Sequence, residues 1–285
     1  MIIFKRVAHL QNWVRTRKKE NKVIGFIPTM GALHQGHLSL ADKSKEECDI
    51  TIVSIFVNPK QFNDPQDLLK YPRPIDEDLR LLLHHNIDVL FLPDVEDIYP
   101  SSNQEKLDFE PGELGNVMEG KFRPGHFAGV AEVMYRLLNI VSPDRLFMGQ
   151  KDFQQLTIVR KLIHDAHLPV LLLRCLTSRE PNGLAMSSRN LRLSSSARKQ
   201  ATIIFQTLQN SKIKFDHGES IEQIKKEAIS ELSLDNFKPE YFSIVDGLTL
   251  ADINDQSESG FVVACCAVHV EGIRLIDNMI WKENK

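Results

Sequence analysis

Apolar positions along the chain follow two rhythms, one helical and one of short continuous runs. Val7, Leu10 and Val14 recur at helical spacing, and that stretch closes on a charged run over 15–20. Residues 22–27 then form an apolar run of strand length, ended by Pro28. Gly31 falls in the following turn, and Leu38, Leu40 and Ala41 open a helix leading to Cys48. Residues 49–57 are almost continuously apolar and β-branched, the pattern of a strand covered on both faces. A Pro- and Asp-rich loop reaches Pro74, a helix is predicted over 76–85 and a strand over 88–93. Residues 94–125 read as a long connection, and such connections usually carry function. Val130, Val133, Leu137, Leu138 and Val141 mark a helix over 126–141, followed by a strand at 144–148. Leu156, Val159, Leu162, Ile163 and Ala166 carry another helix, and 169–176 a further strand.

Strands alternating with helices predict an α/β domain, a Rossmann-like open parallel sheet over residues 1–176. Past Ser178 the rhythm changes. Helices are predicted over 197–209 and 221–232 with a linker at 214–219 between them, and strands over 241–245, 260–270 and 273–280. Consecutive strands predict a smaller C-terminal α+β domain over 177–285. No repeat or low-complexity segment interrupts the chain.

Composition narrows the classes. Net charge is −3, which gives no general basic surface for nucleic acid. No apolar stretch approaches the ~18 residues of a membrane helix, and residues 1–6 lack the apolar core of a signal peptide. Cys48, Cys175, Cys265 and Cys266 form no Cys-x-x-Cys pair, so buried or free thiols in a reducing compartment are expected, and a cytoplasmic location with them.

The chemistry gathers at the turn after the first long apolar run. A strand, a glycine turn and a helix start leave unpaired N–H groups and partial positive charge, which favour phosphate. His34 and His37 are three apart, so both imidazoles reach one side of a helical turn. Two histidines there are also common polar surface; a metal site would want His-Glu-x-x-His, which is absent. No metal ligands are assigned from the sequence.

His34-Gln35-Gly36-His37 after a strand resembles the signature of the nucleotidyltransferase superfamily, and the longer string from Pro28 to His37 resembles the pantothenate synthetase family. Further strings match in order: Asn58-Pro59-Lys60-Gln61-Phe62, Tyr71-Pro72-Arg73, residues 119–127, residues 149–155 and residues 183–190, with a short Arg274-Leu275-Ile276-Asp277-Asn278 string near the end. Departures stand at Ala131-Glu132, Met148, Ser178 and 191–193. The resemblance implies ATP-dependent condensation of (R)-pantoate with β-alanine through a pantoyl adenylate, releasing AMP and pyrophosphate, in pantothenate and coenzyme A biosynthesis. It implies ATP contacts from Met30, Gly31, Ala32, Leu33, His34, Gln35, Gly36, His37, Gly149, Gln150, Lys151, Asp152, Ser178, Met186, Ser187, Ser188 and Arg189. Gln61, Gln155, Arg123 and His126 fall to the small substrates. His34, His37 and Lys151 are expected to stabilise the transition state, with Ser187, Ser188 and Arg189 on the leaving pyrophosphate. Mg²⁺ is expected on the phosphates, the loop at 186–189 as part of a C-terminal lid, and the protein as a homodimer through its N-terminal domain. A nucleotidyltransferase stopping after one step, a class I tRNA synthetase and a non-catalytic nucleotide-binding module are the competing classes.

Overall fold

The computed structural model describes residues 1–62, 65–101 and 107–284, with only the backbone of Asp67. The chain forms two compact units, Met1–Gly149 with Ile158–Cys175, and Gln150–Thr157 with Leu176–Lys285.

The first unit runs β1 (Ile2–Phe4), α1 (Val7–Lys19), β2 (Ile24–Thr29), α2 (Gln35–Glu47), β3 (Ile50–Ile55), α3 (Pro65–Lys70), α4 (Ile75–His84), β4 (Val89–Phe91), α5 (Val95–Ile98), α6 (Met118–Phe122), α7 (His126–Val141) and β5 (Arg145–Gly149). Helix α8 (Phe153–Asp165) starts in the second unit and returns to the first, which ends on β6 (Leu171–Cys175). All six strands are parallel, in the order β1-β4-β3-β2-β5-β6. Ile27, Val53, Ile55, Leu90 and Phe147 cluster with Leu40 and Ala41 of α2 and Leu82 of α4. The alternate strand positions Phe26, Ile52, Val89, Phe91 and Leu146 point the other way and are buried as fully. Both faces are therefore covered, which is why these strands read as unbroken apolar runs.

Strand order reverses between β2 and β5, which pair at Gly25↔Arg145 and Phe26↔Leu146. Ligands of open α/β sheets bind beyond the carboxyl ends of strands at such a switch point. Thr29 ends β2 and Gly149 ends β5 there.

In the second unit, α9 (Ser195–Gln200), α10 (Ile203–Asp216) and α11 (Ile221–Leu232) precede an antiparallel meander of β7 (Phe237–Asp246), β8 (Phe261–Val270) and β9 (Ile273–Glu283). Val262, Ala264, Cys266 and Val268, every second residue of β8, cluster with Ile204 and Leu208 of α10 and Ile224 and Ala228 of α11.

Several expectations shift. The edge strand β1 was not foreseen. Pro28 lies inside β2, paired with Ser54, beyond the point where pairing to β5 has stopped, so its missing N–H interrupts no ladder on that side. Helix α2 begins at Gln35 rather than Leu38. The two long connections contain the short helices α3, α5 and α6; parts of both, at 63–64 and 102–106, lie outside the described residues. The helix expected over 197–209 is two, joined where Ile204 N–H donates to Ala201 O, and α10 continues to Asp216 through half of the expected linker. All four cysteines are free thiols. Burial pushes the Cys175 thiol up to about 11, so it holds its proton at neutral pH.

Candidate active site

The turn between β2 and α2 is held from below by a side chain. Thr29 Oγ1 donates to Ser54 O (2.7 Å) and accepts from Gly31 N (3.2 Å). Asp78, in the first turn of α4 and 1% exposed, accepts from Leu33 N (2.7 Å) and Ala32 N (2.9 Å). Gly31 sits at φ +81°, and a Cβ there would come within 2.9 Å of Asp78 Oδ2 and 3.0 Å of Ile55 Cγ2. Only glycine meets both demands. Burial pushes the Asp78 carboxyl above the usual carboxylate range; the two N–H donors pull against that, and Glu77 adds to the rise.

The helix that follows is capped by its own histidines. His34 is the N-cap residue, and its Nδ1 accepts from Gly36 N (3.1 Å). His37 Nδ1 accepts from His34 N (3.3 Å), and the two ring centroids lie 4.1 Å apart. Imidazoles do here what Ser, Thr, Asp or Asn do at most helix starts, which explains the earlier start of α2. A backbone N–H can only donate, so both Nδ1 atoms are unprotonated. Each neutral ring therefore carries its proton on Nε2. Two N–H donors thus stand beside the positive end of a helix.

A second network surrounds Gln61, which is 7% exposed and closes the 3-10 turn Pro59–Gln61. Its Oε1 accepts from Asn58 Nδ2 (3.2 Å), and its Nε2 donates to Met30 Sδ (2.8 Å). Asn58 Nδ2 also donates to Gly129 O (3.1 Å), and its Oδ1 accepts from Tyr99 Oη (2.9 Å). His126 Nδ1 lies 2.8 Å from Gln61 O. A carbonyl accepts only, so this imidazole donates from Nδ1 and holds the main chain of the turn. Arg123 caps the C-terminus of α6, its carbonyl accepting from His126 N (3.1 Å). Glu132, one of the departures from the family strings, accepts from Lys60 Nζ (2.7 Å) and Arg136 Nη2 (3.3 Å). Both cations lie near the Tyr99 ring, at 4.3 and 5.0 Å from its centroid.

In the second unit, Gln150–Asp152 form a 3-10 turn at the start of α8. Gln150 is buried, Lys151 and Gln155 half-buried and Asp152 exposed. The segment from 177 to 193 folds back on itself. Met186 N donates to Ser178 O (3.0 Å), and Asn190 Nδ2 donates to Glu180 Oε1 (2.8 Å) and Ala185 O (3.0 Å). Ser187 Oγ accepts from Arg189 N (3.3 Å), capping the 3-10 turn Ser188–Arg192. Ser187, Ser188 and Arg189 are half-buried.

The structure thus brings His34 to His37, and Met30 and His126 to Gln61. Sequence reasoning missed Asp78, which reads as one of three acidic residues in a helix first turn. It also missed Tyr99 and Gly129, whose partners lie 41 and 71 residues from them.

A family model described as pantoate-beta-alanine ligase matches residues 2–280. A pantothenate synthetase of Azobacteroides pseudotrichonymphae genomovar. CFP2 is 48% identical over 283 residues, covering 99% of this chain and all of that protein. One from Porphyromonas gingivalis is 41% identical over 285 residues, with 99% and 100% covered. The chain belongs to the pantoate–β-alanine ligase family. Its fold agrees. The crystal structure of the pantothenate synthetase from Thermus thermophilus superposes with a TM-score of 0.91 at 36% identity, covering 99% of this chain and 100% of that one. That of the Francisella tularensis pantoate-beta-alanine ligase, complexed with beta-gamma ATP and beta-alanine, gives 0.80 at 35% identity, with 99% and 98% covered. Members of this family are ligases whose known reaction is ATP-dependent. Among the described residues no helix is long and apolar enough to cross a membrane.

For this ligase Gly129 is a sharp test. A Cβ there would meet Lys60 O at 2.3 Å and Gln61 N at 3.0 Å, both backbone atoms. Gly129→Ala is expected to displace the Gln61 turn. A misplacement of about 1 Å costs up to about 10²-fold, so kcat/KM for the acid substrate should fall by roughly that factor with KM for ATP little changed. Steady-state kinetics with each substrate varied will show it; unchanged acid kinetics would count against a substrate role for Gln61.

Proposed function

We propose that the chain joins (R)-pantoate to β-alanine in two steps through a pantoyl adenylate. A pantoate carboxylate oxygen attacks the α-phosphorus of ATP, and the bond to pyrophosphate breaks. The amine of β-alanine then attacks the acyl carbon, loses a proton to solvent and releases AMP. The observation that carries this reading is the histidine pair. Both Nδ1 atoms accept backbone N–H groups, so both Nε2–H groups are donors at a helix N-terminus. They suit negative charge developing on the phosphates. Lys151 adds a mobile cation to that charge, and Ser187, Ser188 and Arg189 take the leaving pyrophosphate. Gly149, Gln150, Asp152, Ser178 and Met186 complete the ATP contacts with residues 30–36. Gln61, Gln155 and Arg123 orient pantoate, and His126 acts on it through the Gln61 carbonyl.

Among the described residues no group of three or more His, Cys, Asp or Glu could hold a metal ion. The family resemblance implies a Mg²⁺ carried by the nucleotide, where its charge would lower the repulsion between phosphates and the incoming carboxylate. The same reading, from the family resemblance, includes a homodimer through the first unit, a cytoplasmic location and closure of the 186–189 loop on ATP.

Pantoate-dependent exchange of labelled pyrophosphate into ATP tests the first step. Exchange without β-alanine, with AMP appearing only on its addition, is the expected result. AMP formation with no exchange under any condition, with both substrates present, would replace the adenylate by a concerted route.

A further inference from the structure

The Arg274–Asn278 string has no task in the reading of the sequence, and the second unit supplies one. Asp277 and Asn278 sit mid-strand in β9, paired with Cys266 and Cys265 of β8. Both are polar and buried, at 3% and 2% exposure. Asn278 Nδ2 donates to two main-chain carbonyls, those of Gln150 (2.9 Å) and Lys151 (2.8 Å). Its Oδ1 accepts from Gln150 Nε2 (3.2 Å). Asp277 takes both arms of the Arg179 guanidinium, at 2.6 and 3.0 Å, and Arg179 Nη1 also donates to Gly183 O (3.1 Å). Arg179 lies over the Phe205 ring at 3.8 Å and bridges to Ala185 along the backbone. Asp277 Oδ1 accepts once more, from Asn278 N (2.8 Å).

Two neighbouring residues of one strand therefore hold two separate segments. One segment carries Lys151; the other carries Met186 to Arg189. We propose that Asn278 and the Asp277–Arg179 pair are positioning residues for the adenylation step, setting the main chain under Lys151 and the base of the Ser187–Arg189 loop. This rests on the assignment of Lys151 and Arg189 made above. The chemistry of the side chain supports it. A carboxamide both donates to two carbonyls and accepts from a third group. An aspartate in its place would set negative charge against both carbonyls, and an alanine would leave them without that donor. The β-sheet supplies the rigidity, since β9 is laddered to β8 without a break from Ile273 to Ile280.

A residue that only stabilises the fold would lower the melting temperature and leave the chemistry of the folded fraction alone. A positioning residue acts through Lys151, so its loss should be absorbed once Lys151 is gone. The test uses the full chain and pantoate-dependent pyrophosphate–ATP exchange. Asn278→Ala is expected to lower kcat of exchange about 10²-fold, the cost of a misplacement of about 1 Å, with KM for pantoate nearly unchanged. In a Lys151→Ala background the same substitution should add less than about threefold. Arg179→Lys keeps a cation beside Asp277 but loses the two-armed fork. It should lower kcat about tenfold and be similarly absorbed by Arg189→Ala, which serves if Asn278→Ala does not fold. Losses that multiply in the double variants, or single variants with parental kcat, overturn the inference. Parental exchange in Lys151→Ala itself would overturn the assignment of Lys151 and this inference with it. A crippled Lys151→Ala beside an inert Asn278→Ala overturns the inference alone.

Discussion

Replacing His37 with alanine is expected to slow adenylate formation by about 3–4 kcal/mol, the usual cost of removing one preorganised donor from a developing charge. The ring does two jobs on its two nitrogens. Nδ1 accepts the His34 N–H and caps α2, while the proposed function asks Nε2–H to donate to the phosphates. The two can be separated by shape. His37→Asn places an amide oxygen near the Nδ1 position, so it should keep the cap, itself worth about 1 kcal/mol, without restoring the rate. His37→Gln reaches the Nε2 position with an N–H and should recover part of the rate while losing the cap. Single-turnover adenylate formation and thermal melting, measured on all three variants, will tell them apart. If the asparagine variant recovers the rate and the glutamine variant does not, the histidine serves the helix rather than the phosphates.

Removing Asp78 should be the costlier change for the fold. Asp78→Ala leaves the N–H groups of Ala32 and Leu33 without their acceptor, at about 1–3 kcal/mol each. The turn they pin is the one that carries His34, so adenylation should fall along with stability. Asp78→Asn keeps one acceptor and sets an NH₂ against the other donor, an intermediate case. The pH dependence has a definite sign. Burial raises the folded-state pKa of Asp78 above the ordinary 3.8. Between that value and the raised one, the folded protein binds more protons than the unfolded chain. Stability therefore falls as pH rises through this window. Urea unfolding across mildly acid pH should show a shallower fall in Asp78→Asn than in the parent. Equal slopes would mean that Asp78 titrates normally and that its two hydrogen bonds offset its burial.

The candidate site residues could be picked from the sequence because their patterns are local. His34 and His37, Pro59 to Gln61, Lys151 and Asp152, and Ser187 to Arg189 each lie within a few residues of one another, and each follows a strand or opens a helical turn. Backbone geometry over so short a span leaves a mark in residue order. The supports were not legible. Asp78 lies 46 residues from Ala32, Tyr99 lies 41 from Asn58, and Asn278 lies 127 from Lys151. No spacing rule connects such positions.

Hydrophobic rhythm alone specified five strands of the parallel sheet, the longer helices between them and the change to a smaller antiparallel sheet, because burying apolar faces is a periodic demand that residue order must meet. It misplaced the start of α2 because imidazole is an uncommon cap, whose acceptance of an N–H depends on where its ring is held. The protonation of the histidines, the carboxylate beneath the β2–α2 turn and the carboxamide beneath Lys151 are matters of distance between remote side chains and backbone. Those distances exist only once the chain has folded, and residue order carries no trace of them.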